Sequence, residues 1–207
     1  MSDFQSIIKD RRSANRFVEG IEIPQSDLEE IFSLSKFAPS SYNLQHTHYL
    51  VVTDRAKIEE IYERTHQQYK IKTASAIIYV LGDVKAHLKA ADLNEGLKNL
   101  GVLSDQEYNA VVEQTIQFYE SKGDTFQRED AIRNASIAAM QLMLIAKDLG
   151  WDTCPMHSTE DAVFKEMFDV SDNLIPVMMI ALGKSAPESF RPRGYRKPVN
   201  EFVKYYN

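Results

Sequence analysis

Apolar residues recur along this chain at two periods, and the switch between them lays out most of the expected elements. Phe4, Ile7 and Ile8 share one face of a helix predicted over Phe4 to Arg11. Ser26-Asp27-Leu28-Glu29 has capping-box spacing and is expected to start a second helix, carrying Leu28, Ile31, Phe32 and Leu34 and ended by Pro39. Tyr49 to Val52 reads as a strand, and Ala56 to Gln68 as a helix. Ala76 to Leu81 reads as a buried strand that stops at Gly82-Asp83. Residues 85–123 are helical but polar, a surface excursion with a second capping box at Ser104 to Glu107. Ile132 to Leu149 is apolar around most of its circumference and stops at Gly150, the pattern of a central helix. A sheet is expected on one side of it, and either more of the same chain or a second subunit on the other. A short strand and turn follow over Asp152 to Met156, then a helix over Glu160 to Phe168 and a last core strand over Ile175 to Gly183.

This order mixes helices and strands without the regular alternation of a dinucleotide-binding fold, and neither GxGxxG nor GxxxxGK[ST] occurs. There is no internal repeat, low-complexity tract or Gly/Ser linker, so residues 1–207 are expected to form one domain. A composition of 43% hydrophobic and 26% charged residues is that of a globular chain long enough to bury a core. A net charge of −6 argues against a nucleic-acid binder, which needs a broad basic face. The single cysteine, Cys154, excludes an intrachain disulfide and reads as a small buried hydrophobe. No signal peptide is apparent, and no apolar run approaches the about 20 residues of a membrane helix. The chain is expected to be cytoplasmic.

Three polar clusters carry the candidate chemistry. Arg11-Arg12-Ser13-Ala14-Asn15-Arg16 and Arg191 to Lys197 are cationic, and arginine presents a fork of donors that matches phosphate oxygens. Either could instead be a solvated segment. The aromatic residues Phe190, Tyr195, Phe202, Tyr205 and Tyr206 argue that the second packs on something. The third cluster, Pro39-Ser40-Ser41 with Asn43 and Gln45, offers amides able to read the carbonyl/NH edge of a heterocycle, or is ordinary turn chemistry. The five histidines lack metal-ligand spacing, and no Ser/His/Asp set suggests hydrolysis. Phosphate forks, amides and aromatic walls without a proton-shuttling pair suit a cofactor that brings its own redox chemistry.

Arg11-Arg12-Ser13 with Phe17, Ala38-Pro39-Ser40-Ser41 with Asn43 and Gln45, Gly150 to Met156 and Ile180 to Lys184 together resemble the FMN-dependent nitroreductase family. Ala131 to Ser136 and Arg191 to Phe202 resemble its methylhydroquinone-resistance branch. The resemblance implies an α+β three-layer sandwich around a mixed sheet and a homodimer with swapped termini, with two FMN sites at the interface. It implies that Arg11, Arg12, Ser13, Asn15 and Arg196 meet the phosphate. Asn15 stands where many relatives carry a cation, so Arg16 or Arg193 is expected to supply the missing charge. Pro39, Ser40 and Ser41 would come from the second subunit, with Asn43 at the ring edge and Gln67 and Lys70 toward its pyrimidine end. Pro155, Met156, His157 and Ser158 would lie over one flavin face. Phe118, Tyr119 and Phe126, with His157, are the candidates around the open face where a substrate would bind, unless the three rings are plain packing. The implied activity is electron transfer from NADH or NADPH to a quinone or nitroaromatic compound by a ping-pong mechanism. A non-catalytic FMN carrier or redox sensor is the alternative.

Overall fold

The computed structural model describes residues 3–206. Four strands, β1 (Thr47–Val52), β2 (Ala76–Asp83), β3 (Asp152–His157) and β4 (Leu174–Gly183), form one sheet in the order β1-β2-β4-β3. Every strand pair is antiparallel, which corrects the mixed sheet that the family resemblance implies. The one parallel element among the described residues is an isolated bridge between Ser13 and Thr153. A mixed sheet needs a further strand running parallel to an edge, and within one chain that edge is met only by this short arm.

Alternation along β2 explains the layering. Ile77, Tyr79 and Leu81 point to one face and pack with Ile58, Ile61, Ile71 and Phe164 from α3 (Arg55–Arg64), α4 (Tyr69–Thr73) and α7 (Asp161–Met167). Ala76, Ile78 and Val80 point to the other, against Leu28 and Ile31 of α2 (Gln25–Ser35) and Ala135, Ala139 and Leu142 of α6 (Asp105–Asp148). Helices thus cover both faces. Cys154 lies buried in the first of these clusters. Pro176 sits at a register shift between Val80 and Leu81, where β4 has one residue more than its partner and a missing N–H is tolerated.

α1 (Phe4–Asp10) and α5 (Ala90–Asn99) complete the helices. The capping box at Ser104 forms in full: its side chain accepts from the Glu107 N–H, and Glu107 accepts from the Ser104 N–H. The box expected at Ser26 does not form. Pro24 takes the capping position and Ser26 falls inside the helix, where its hydroxyl turns to Asp27. The helix expected over 56–68 ends after Arg64, where Thr65 leaves helical geometry with φ −120° and ψ −145°, and Gln67 beyond it adopts a left-handed backbone with φ 48°. The polar excursion and the central helix run together as α6, interrupted at Gly123 with φ 75°. Among the described residues no helix is long and apolar enough to cross a membrane.

Candidate functional site

The first and third polar clusters meet. Arg11, Arg12, Ser13 and Asn15 line a cleft of about 680 Å³ together with Arg191, Arg193 and Arg196. Its other walls include Lys147, Asp152, Ser185 and Ser189, which sequence reasoning did not single out. The arm that carries the first cluster is held like a strand: the Ala14 N–H donates to Thr153 at 3.1 Å, and the Val18 N–H to Lys184 at 2.8 Å. The Asn15 N–H reaches the Ser189 hydroxyl at 2.7 Å. Phe17, 1% exposed, is the apolar anchor of this arm, and it packs on Gly183, where a Cβ would stand 2.9 Å from its ring.

Six cationic side chains face two carboxylates in this cleft. Burial works to raise the Asp152 pKa, but hydrogen bonds from Lys147 and Ser185 outweigh it and hold the group below the usual carboxylate range. Asp152 therefore stays ionised and occupies Lys147, at 2.9 Å. Arg12 donates to the Arg191 carbonyl, and Arg193 to those of Lys9 and Arg11. One guanidinium nitrogen of Arg11, Nη1, is buried with no partner among the described residues. Of the two residues expected to compensate for Asn15, Arg193 lines the cleft. Arg16 turns away and stacks over the Tyr69 ring at 4.2 Å.

β3 leads from this cleft toward the other predicted residues. Its first residue, Asp152, lines the cleft; its last, His157, lies five residues on, roughly 17 Å away along an extended strand. Pro155 occupies this edge strand, Met156 is buried and His157 is exposed. The Ser158 hydroxyl beyond it is buried without a partner, as is that of Thr153.

The second polar cluster lies elsewhere in the chain. Pro39 and Ser40 border a different cleft, of about 650 Å³, between α2 and β1. Thr47, just past this loop, pairs with Gly82 at one end of β2, whereas the arginine cleft adjoins Gly183, next to Ala76 at the other end. β1 and β3 are also opposite edges of the sheet. Loop and arginine cleft thus occupy diagonal corners. Tyr42, Asn43 and Gln45 in this loop have φ of 53°, 54° and 51°, and Gln67 is the only other non-glycine with positive φ among the described residues. Left-handed residues of this kind cost about 1–3 kcal/mol each and cluster where function requires them. Gln67 and Lys70, around the start of α4, line neither cleft.

Phe118, Tyr119 and Phe126 come together, in mutual contact at ring separations of 5.6 Å. Tyr119 is 1% exposed and belongs to a third buried cluster with Leu44, Ala86 and Ala90. Beneath it lies a feature that histidine spacing concealed: His46 Nε2 stands 3.5 Å from Asp130, and His48 Nε2 3.9 Å from Asp83. Burial pushes the His46 pKa down, only partly offset by Asp130 and Asp83, and His87 is likewise lowered by burial. These imidazoles are neutral when folded and take up protons when unfolded, so stability is greatest above the ordinary value of 6.5 and falls as pH drops below it. The melting temperature is expected to decline between pH 7 and pH 5, and His46→Gln to flatten that decline; an unchanged slope would remove His46 as its cause.

Against known proteins the architecture identifies the class first. The chain superposes on a crystal structure named "putative nitroreductase ydfN" from Bacillus subtilis with a TM-score of 0.95 at 48% identity, covering 98% of each chain. An Exiguobacterium sibiricum structure, described as a putative nitroreductase in complex with FMN, matches with a TM-score of 0.88 at 26% identity, over 100% of this chain and 98% of that one. The sequence is 49% identical to the Bacillus subtilis protein named "Putative NAD(P)H nitroreductase MhqN", over 99% of this chain and 100% of that one. Residues 8–184 match the model of the nitroreductase family. The chain belongs to the nitroreductase family.

Proposed function

We propose that this protein is an FMN-dependent oxidoreductase of the cytoplasm that moves electrons from NADH or NADPH to a quinone or nitroaromatic acceptor. The observation that carries this reading is the arginine cleft, with its excess of cations and the unpartnered Arg11 Nη1. A buried guanidinium nitrogen without a partner is costly unless an anion completes it. Arg11, Ser13, Asn15 and Arg193 suit a phosphate, and the free hydroxyls of Thr153 and Ser158 along β3 suit the polar groups of a flavin extending from it. When bound, FMN supplies the hydride and electron chemistry. The chain's own residues hold the phosphate, orient the ring along β3 and leave one face open.

Two copies fit this reading better than one. The diagonal placement of the Pro39–Asn43 loop keeps its amides from the arginine cleft of the same chain. Phe4, Ile8, Ile137 and Met140 are exposed apolar residues on α1 and α6, and Tyr195, Phe202 and Tyr206 stand 65–92% exposed along the tail. β1 has an open edge that a strand from elsewhere can pair with. These features support a homodimer with exchanged tails. A monomeric mass by light scattering at working concentration would defeat that assembly.

The decisive experiment mixes FMN-loaded protein anaerobically with NADH and separately with NADPH, following the flavin absorbance. Rapid bleaching, reversed by adding a quinone or a nitroarene, is the expected result, with the oxidised donor leaving before the acceptor binds. Yellow protein that stays oxidised would mark a carrier or sensor. Protein that takes up no FMN would refute the site.

A further inference from the structure

Asp130 and Asn134 sit one turn apart on α6, each only 2% exposed, and the redox reading above gives them no role. Both grip Ser41. Asn134 Oδ1 accepts the Ser41 N–H at 2.8 Å, and Asn134 Nδ2 donates to the Ser41 hydroxyl at 3.2 Å. The Ser41 hydroxyl is also 3.3 Å from Asp130 Oδ1, the oxygen that Arg133 reaches. The other oxygen of Asp130 accepts the Tyr119 hydroxyl at 2.6 Å. Tyr119 in turn lies flat against His87 at 5.1 Å and meets Tyr42, Phe118 and Phe126 through its ring.

We propose that Asp130 is a positioning residue that ties the 39–45 loop to the aromatic excursion, so that the two are set as one unit. The left-handed backbone at Tyr42, Asn43 and Gln45 persists only where surrounding contacts over-determine it. Within the loop, Ser40 supplies short-range bonds: its hydroxyl accepts from the Gln45 N–H and its carbonyl from the Asn43 N–H. Asp130 and Asn134 supply polar anchors from Ser41 to the rest of the chain. A carboxylate whose two oxygens serve two segments transmits strain between them, because a buried acceptor that loses a donor is costly to leave bare. Coupling of this kind is reciprocal. A molecule pressing on the half-buried Phe118, which packs on Tyr119, therefore alters the loop, and whatever the loop holds alters the rings. The tie itself is independent of cofactor; its consequence for redox chemistry rests on the proposed contact between this loop and the flavin.

The test removes one hydroxyl at each end of the tie. Tyr119→Phe keeps the ring and its packing, and Ser41→Ala keeps the backbone. Amide hydrogen exchange is measured on the full-length protein, without FMN and after its addition. In Tyr119→Phe, exchange at Asn43 and Leu44 is expected to rise at least fivefold while amides of β2 hold steady. The double variant is expected to show less than the product of the two single effects, since both remove a bond to the same carboxylate, while Ser41→Ala also removes the one from Asn134. An unmoved loop in Tyr119→Phe, multiplied effects in the double variant, or equal acceleration throughout β2 would each overturn the proposal. FMN affinity of Tyr119→Phe is expected to fall three- to tenfold. A loop that loosens with FMN affinity unchanged supports the tie and instead removes the loop from the flavin site.

Discussion

Replacing Arg11 by alanine is expected to weaken FMN binding roughly ten- to hundredfold. The figure follows from a charge-assisted hydrogen bond worth about 1.5–3 kcal/mol, at about 1.4 kcal/mol for each factor of ten. Arg11 is the arginine whose Nη1 is buried and unpartnered, whereas Arg12 is exposed and already donates to the Arg191 carbonyl. Arg12→Ala should therefore cost less, although neighbouring residues in a sequence motif give no reason to rank them. A second signature separates binding from folding. Removing a half-buried guanidinium whose Nη1 lacks a partner relieves the flavin-free protein, so its melting temperature is expected to hold or rise. Titration of flavin fluorescence against each variant decides the matter. Dissociation constants of both variants within threefold of the parent would show that the phosphate lies elsewhere, and a larger loss in Arg12→Ala than in Arg11→Ala would overturn the ranking.

Phe17→Ala is expected to lower the melting temperature by on the order of 10 °C, the largest loss foreseen from a single truncation. Emptying a buried aromatic site costs about 3–5 kcal/mol, and a chain of this size loses about 2–4 °C per kcal/mol. Phe17 is buried against Gly183, so its ring pins the arginine arm to β4, while its backbone N–H, which alanine keeps, donates to Thr73 of α4 at 3.1 Å. Flavin affinity should fall with stability, since Ser13 and Asn15 are placed by the same arm. Gly183→Ala attacks this contact from the other side by overlap, at about 1–3 kcal/mol. Thermal melts of both variants check the argument. A Phe17→Ala protein that melts like its parent would mean that the arm is held by its backbone bonds alone.

Much of this was legible along the chain where chemistry is local. The Ser104 box, the stop at Gly150 and the strand at Ala76 each depend on neighbouring residues, and each forms. The box at Ser26 failed because Pro24 competes for the same capping position, a contest that spacing does not reveal. The antiparallel sheet was illegible because its central pairing joins β2 to β4 across α5, α6, β3 and α7. In the candidate cleft, the arginines were visible as a motif, but Lys147 and Asp152 belong to the end of a helix and the start of a strand and joined it only through folding. Asp130 and Asn134 left a faint signal: two polar residues one turn apart beside the apolar stretch that begins at Ala131. The packed aromatic cluster shows the opposite limit. Aromatic residues on a polar helix mark a contact, but whether the contact is core or pocket depends on what lies opposite.

Trp151 is the chain's single tryptophan, 3% exposed, with its indole N–H on Asp27 at 2.8 Å and the Lys184 ammonium 3.9 Å from its ring. It adjoins Asp152, which lines the arginine cleft. Indole emission overlaps the near-ultraviolet absorption of an oxidised flavin, so a cofactor bound in that cleft drains the excited state of this ring and dims it. Unfolding shifts the same emission to the red by admitting water. One unlabelled chromophore therefore reports occupancy as brightness and folding as colour, and the two can be followed separately in a single cuvette.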